Sequence, residues 1–315
     1  MNMRLSDLVL VAVTLIWGVT FSLTKHGVSF VSPLLFLALR FLLAFGLLVG
    51  AGLPRLRALT RIELYAGVAT GLVYAAGFIA QTMGLRTTTA AKAAFITGLN
   101  VVLVPLFSTV ILRLRPERTE IAGSLLSFLG LAVLSVNRSL LLLSLGDFLV
   151  LLCAVFFALH IILMGRWATE VDPWRFTTVQ VGVTGALCAA LMLPLEPFPS
   201  HIPLSVWASL AFLAVFATIG TTVMQAWAQR HTDPTRTAII FTLEPVFAAV
   251  FAFFLLGEVQ SLRTWAGGAL IIAGILTAEL SRTRGSCSGK PWCGRSGGWR
   301  RAGRECSPRR SAPRP

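Results

Sequence analysis

The sequence predicts an all-α integral membrane protein of ten transmembrane helices, built from two inverted five-helix repeats. Three observations carry this. Of 315 residues, 56% are hydrophobic and only 13% are charged, against about 25% charged in a soluble globular chain. The apolar residues, with a mean hydropathy of +0.79, fall into ten runs that each reach the ~20 residues a bilayer crossing needs. Landmarks of the first five runs recur in the second five at a nearly constant spacing.

Taken in order, the runs are roughly 6–25, 33–51, 63–84, 90–113, 119–137, 146–165, 173–194, 204–228, 234–256 and 262–281. The first follows Arg4 and imitates a signal peptide, but no small-residue cleavage site follows promptly, so it reads as a retained helix. Helix-start chemistry marks several others. Ser32-Pro33, Thr89-Ala90, Asp172-Pro173 and Asp233-Pro234 each place a capping residue at the head of an apolar run. Cys153 and Cys188 fall inside apolar runs and read as small core residues.

The repeat is legible in paired positions. Asp7 matches Asp147 and Pro33 matches Pro173, 140 residues apart. From Arg86 onward the spacing is 144: Arg86 with Arg230, Leu99 with Leu243, Gly123 with Gly267, Gly130 with Gly274. The four-residue slip belongs to the third run or its neighbouring loops, where insertions are cheap. The halves are therefore 1–140 and 141–281. Five is odd, so the second half is inverted relative to the first, a construction used by secondary transporters. With the N-terminus in the cytoplasm, eleven Lys/Arg between the runs or within three residues of their ends fall on the inner side and five on the outer. That asymmetry places both termini inside.

Residues 282–315 differ in kind. They hold ten Lys/Arg and a single acid, so they carry most of the net charge of +14. Rich in Arg, Gly, Ser and Pro, this stretch is expected to be a disordered basic cytoplasmic tail. Its cysteines, Cys287, Cys293 and Cys306, lack zinc-type spacing, so no metal and no cofactor are expected. A charge so confined fits membrane topology rather than nucleic-acid binding.

Polar residues inside the runs are the candidate site. Glu244 lies ten residues after Pro234, about 15 Å along a helix and so near the bilayer midplane. A carboxylate there is expensive and a functional candidate by default, a helix–helix salt bridge or a protonated, hydrogen-bonded Glu being the structural alternatives. Asn100 is its repeat partner and lies ten residues after Ala90. Pro105 and Pro245 are expected to break these two helices, with Gly98 a further weak point just before Asn100. Arg40, about 10 Å deep in the second run, is expected to face the bundle, pair with an acid or carbonyls, or snorkel toward the outer surface; it reads either as a group for a substrate carboxylate or as a structural one. His160 is the repeat partner of Thr20. Gln81, Gln180 and Gln225 are candidate cavity amides, and Trp17, Tyr74, Phe157 and Trp227 a candidate aromatic wall. There is no Walker A, HExxH or GxSxG sequence and no second deep carboxylate, so neither ATP-driven pumping nor acid/base catalysis is expected.

At these residues the chain resembles a known family. TLEPVFAAVFAFFLLGE (242–258), Trp265 and GGALIIAGIL (267–276) are similar to the end of an EamA domain of the drug/metabolite transporter superfamily. TLIWGVTFSLTK (14–25), SPLLFLALRFLLA (32–44) and the fourth run ending in Pro105 resemble its first repeat. The resemblance covers about 1–281. It implies two EamA repeats, ten helices, cytoplasmic termini and export of small metabolites across the inner membrane; amino acid exporters are among its members. The sequence departs from the pattern in RLRPER (113–118), where the family often has a Gly-Glu pair, in Asn100 opposite Glu244, and in the tail.

The expectation is thus an exporter of small organic metabolites working by alternating access. Glu244, Arg40, Asn100, His160, Gln81, Gln225 and Trp17 would contact substrate, and protons at Glu244, exchange or uniport are all open as coupling modes. A structural or regulatory membrane subunit and an intramembrane enzyme on lipid-linked substrates are the alternatives.

Overall fold

The computed structural model describes residues 3–88, 90–113, 116–135, 144–199, 201–256 and 262–284. Among them there are thirteen α-helices, one π-helical stretch and no strand. Thr89, Gly257, Glu258, the three tail cysteines and the expected tail from residue 285 onward lie outside the described residues.

Capping fixes where the helices begin. The first is α1 (Met3–Gly27), followed by α2 (Pro33–Leu56). Pro33 opens α2, but Ser32 forms no side-chain cap bond. The Glu196 carboxylate takes that role, accepting from the backbone N–H of Leu34 and Leu35 at 3.3 and 3.0 Å. Helix α3 (Arg61–Gly84) starts with a Thr60–Glu63 capping box. The fourth run is two helices, α4 (Ala90–Thr97) and α5 (Asn100–Ile111), and α6 (Arg118–Ser135) follows. Helix α7 (Leu145–Trp167) starts with a Ser144–Asp147 capping box. Asp172 caps α8 (Pro173–Leu195) by accepting from Trp174 and Arg175. The eighth run is α9 (Leu204–Ala214), a π-helical segment Val215–Gly220, and α10 (Thr221–Ala228). Asp233 caps α11 (Pro234–Phe241), which gives way to α12 (Glu244–Leu256); α13 (Leu262–Arg284) comes last.

By length and apolarity, seven of the described stretches can cross a membrane: α1, α2, α3, Ala93–Ile111, α7, α8 and Leu204–Ala228. The protein is an all-helical, multi-pass membrane protein. Within Met1–Ser281, α2 lies along α8, α3 packs on both α7 and α8, and α1 packs on α10, α11 and α12. The buried cores run between them: one joins Leu37, Phe41 and Leu48 of α2 to Tyr74, Val181 and Cys188, and another joins Val101, Leu131 and Ile271. The two cysteines among the described residues, Cys153 and Cys188, are buried and form no disulfide.

Helices α6 and α13 cross where only glycine fits. A Cβ on Gly123 would stand 2.7 Å from the Gly274 carbonyl oxygen, and one on Gly130 would stand 2.7 Å from that of Gly267. Gly123 matches Gly267 and Gly130 matches Gly274 in the repeat, so each contact is the image of the other. Reciprocal contacts of this kind are what a two-fold relation between two segments produces.

Candidate functional site

The fourth and ninth runs are interrupted at corresponding residues. Helix α4 ends at Thr97 and α5 begins at Asn100; α11 ends at Phe241 and α12 begins at Glu244. Each gap is bridged by the same tightened turn: Leu99 N–H donates to the Ile96 carbonyl at 3.1 Å and Leu243 N–H to the Ile240 carbonyl at 3.0 Å. Pro245, the second residue of α12, accounts for one break, since its ring excludes the Phe241 carbonyl. Pro105 does not account for the other. It lies inside α5, and the interruption is upstream at Gly98-Leu99. The outcome is that Asn100 and Glu244 are each the first residue of a half-helix, at the positive end of its dipole.

Arg40 is 2% exposed. Its Nε donates to Thr218 Oγ1 at 2.9 Å and its Nη2 to the Ala217 carbonyl at 3.3 Å. Both acceptors belong to the π-helical segment, whose irregular backbone frees a carbonyl that an α-helix would occupy. The guanidinium lies over the rings of Phe41 and Phe78, at 5.2 and 4.9 Å from their centroids. No carboxylate pairs with it among the described residues. Thr221 Oγ1 donates to the same Ala217 carbonyl and receives the Trp17 indole N–H at 3.1 Å.

On the facing helices, His160 stacks on Tyr74 with centroids 4.4 Å apart, and its Nε2 meets Gln180 Oε1 at 3.2 Å. Tyr74 OH reaches Thr222 Oγ1 at 3.3 Å. Gln81 Nε2 donates to Thr97 Oγ1, and Gln225 Nε2 to Gln229 Oε1. Trp17 meets Phe241 edge-on at 4.8 Å, and Phe157 meets Phe78 edge-on at 5.1 Å. Glu244 has no hydrogen bond or ion pair among the described residues, and Asn100 Oδ1 is buried without a partner.

These side chains line one partly open cavity, with about 520 Å³ of space not filled by atoms, part of it continuous with solvent. All seven expected contact residues line it: Glu244, Arg40, Asn100, His160, Gln81, Gln225 and Trp17. Tyr74 and Phe157 line it too. Two expectations fail. Gln180 lies behind the wall, fully buried and bonded to His160, and Trp227 packs against His231 instead. Thr97, Phe78 and Phe241 went unnoticed in the sequence because single threonines and phenylalanines in apolar runs carry no signal.

The lining obeys the repeat. Trp17 with Phe157, Thr20 with His160 and Phe21 with Ile161 are pairs at a spacing of 140; Gln81 with Gln225, Thr97 with Phe241 and Asn100 with Glu244 are pairs at 144. Three lining residues, Arg40, Tyr74 and Phe78, lack a lining partner. Their matches are Gln180, Thr218 and Thr222, each hydrogen-bonded to a lining side chain from behind.

The duplication is also visible to a family model. The model of the EamA-like transporter family matches residues 4–136 and, separately, residues 144–279. The chain belongs to this family. Its EamA-like relatives bear transporter names rather than enzyme names. It is 31% identical over 278 residues to an uncharacterized transporter of Archaeoglobus fulgidus, covering 87% of this chain and 86% of that one. It is 25% identical to the uncharacterized transporter YyaM of Bacillus subtilis, over 86% and 92% of the two chains. It is also 25% identical to the uncharacterized inner membrane transporter YedA of Escherichia coli, over 87% and 90%. A solved crystal structure shares the fold, with a TM-score of 0.74 at 21% identity, covering 90% of this chain and 99% of the other.

Proposed function

We propose that this EamA-like protein is a secondary transporter that exports small organic metabolites, such as amino acids or related compounds, across the inner membrane by alternating access. The observation that carries this is the cavity: twelve of its fifteen lining residues are repeat pairs, and neither Arg40 nor Glu244 has an ion-pair partner among the described residues. A buried charge without a partner costs several kcal/mol (order of magnitude), which a ligand can offset.

Ten spans complete the reading. Helices α1, α2, α3, α4 with α5, and α6 form the first half, 1–140. Helices α7, α8, α9 with α10, α11 with α12, and α13 form the second, 141–281, in inverted orientation. The paired glycine contacts between α6 and α13 and the two family matches support this division. The Lys/Arg asymmetry supports cytoplasmic termini. In alternating access, the halves rock about the cavity while the half-helix starts at Asn100 and Glu244 hold the ligand. Glu244, Arg40, Asn100, His160, Gln81, Gln225 and Trp17 form the binding site. Glu244 is also the group through which protons would couple to export.

The test is efflux from proteoliposomes preloaded with a panel of amino acids and related metabolites, at several external pH values. Wild-type protein is expected to release at least one panel member faster than empty vesicles do. Glu244→Gln is expected to slow that release and flatten its pH dependence. Unchanged rate and pH dependence in this variant would remove Glu244 from both roles. Failure of the wild type to move any compound of a broad panel would count against transport itself.

A further inference from the structure

We propose that Arg40 and the π-helical segment Val215–Gly220 form a seat for the carboxylate of an organic monoanion. This rests on the reading that the cavity is the ligand site, and it names the chemistry of one end of that ligand.

A guanidinium presents five N–H donors in a flat fork. In Arg40 the Nε and Nη2 edge is spent on the protein: Nε on Thr218 Oγ1 and one Nη2 donor on the Ala217 carbonyl. Nη1 makes no hydrogen bond among the described residues, yet the side chain is 2% exposed and lines the cavity. The remaining Nη1–Nη2 edge is therefore a two-donor fork held in a fixed orientation. Two parallel N–H donors match the two oxygens of a carboxylate.

Three further observations narrow the ligand. Arg40 is the one Lys or Arg in the lining, with the Glu244 carboxyl elsewhere in the same cavity, so the fork suits one singly charged carboxylate rather than a phosphate dianion. The walls beside it are rings, Phe78 and Tyr74, which suit an apolar or aromatic body next to the carboxylate. Asn100 Oδ1, 7% exposed as a residue and unpartnered, supplies a separate acceptor in the same cavity for a ligand N–H or O–H. Among the described residues no carboxylate forms an ion pair with Arg40.

The fork is specific to one half. The repeat match of Arg40 is Gln180, and the match of Thr218 is Tyr74. Thr218 is thus a positioning residue: its hydroxyl fixes the plane of the guanidinium without touching the ligand.

The experiment uses calorimetric titration of the full-length purified protein with phenylacetate and its uncharged isostere phenylacetamide. Wild type is expected to bind the carboxylate roughly tenfold or more tightly than the amide. Arg40→Gln is expected to erase that preference and Arg40→Lys to restore part of it. Thr218→Val is expected to weaken phenylacetate binding severalfold while keeping the preference for it. Equal or tighter binding of the amide to the wild type overturns the seat, as does absence of phenylacetate binding. Since that comparison needs only wild-type protein, it stands even where Arg40→Gln fails to fold. Vesicle efflux of the two probes separates this inference from the transport reading. Binding of phenylacetate without its movement defeats transport and leaves the seat; movement of both probes alike leaves transport and defeats the seat.

Discussion

Replacing Glu63 by Gln keeps the side chain's volume and removes its charge, and the structure sets what that costs. One Glu63 oxygen lies 2.7 Å from Arg175 Nη2, and Arg175 Nε lies 2.9 Å from both oxygens. The same carboxylate accepts from the backbone N–H of Asp172 at 2.9 Å and of Thr60 at 2.8 Å. It therefore ties the start of α3 to the start of α8. Two unit charges 2.7 Å apart attract by about 6 kcal/mol at an effective dielectric constant near 20, before desolvation is subtracted. Breaking a buried pair by removing one partner costs about 3–5 kcal/mol. The Arg175 side chain keeps 23% of its exposure and can rehydrate, so the lower end, about 3 kcal/mol, is the expected loss. A Gln amide also turns N–H donors toward a site where every neighbour is a donor. The assay is equilibrium unfolding in a denaturing-detergent titration, run as a double-mutant cycle with Arg175→Gln. The double variant is expected to lose less than the sum of the two single losses. A Glu63→Gln variant within about 0.5 kcal/mol of wild type, the range of an ordinary surface substitution, would refute the reasoning.

Two other substitutions probe separate parts of the molecule. Gly130→Ala forces a methyl group to within 2.7 Å of the Gly267 carbonyl, whereas Gly46→Ala meets nothing within 4 Å. The same unfolding titration is expected to show the first losing about 1–3 kcal/mol by overpacking and the second unchanged or slightly stabilised, as a helical glycine replaced by alanine should be. Gln180→Met removes the hydrogen bond to His160 but also removes the unpartnered Gln180 Nε2, so stability is expected to move by less than about 1 kcal/mol. Ligand affinity, read by titration, is expected to fall severalfold because the His160 ring loses its orientation.

How much of this was legible in the sequence depends on which force sets the feature. The ten apolar runs are helical over their described residues apart from the turns at Gly98-Leu99 and Thr242-Leu243 and the end of the fourth run at Leu112-Arg113, because in hydrocarbon the backbone can satisfy its hydrogen bonds in no cheaper way. The seven expected contact residues converge on one cavity for a related reason: a charge or amide inside a membrane must turn away from lipid. The repeat register was legible because glycine and proline positions are chemically unforgiving. What stayed hidden was the set of partners. Nothing in VFATIG announces a π-helical segment, so Arg40's acceptors at Ala217 and Thr218 could not be named. Gln180 was misplaced because an amide facing a cavity and one bracing a histidine behind it have the same sequence signature. The fourth-run break was misassigned to Pro105 because a proline is a stronger sequence mark than the Gly98-Leu99 turn that interrupts the helix.

The two charged positions at which the halves differ have a consequence of their own. A chamber with equivalent walls would hold a ligand equally well head-first or tail-first, and the two poses would interconvert at no cost. Arg40 is answered by Gln180 in the other half, and Glu244 by Asn100, so the positive group comes from one half and the negative group from the other. This removes the degeneracy. The chamber has an electrical polarity written into the chain, and under the proposed alternating access a polar ligand would keep one heading relative to the protein whichever way the chamber opened.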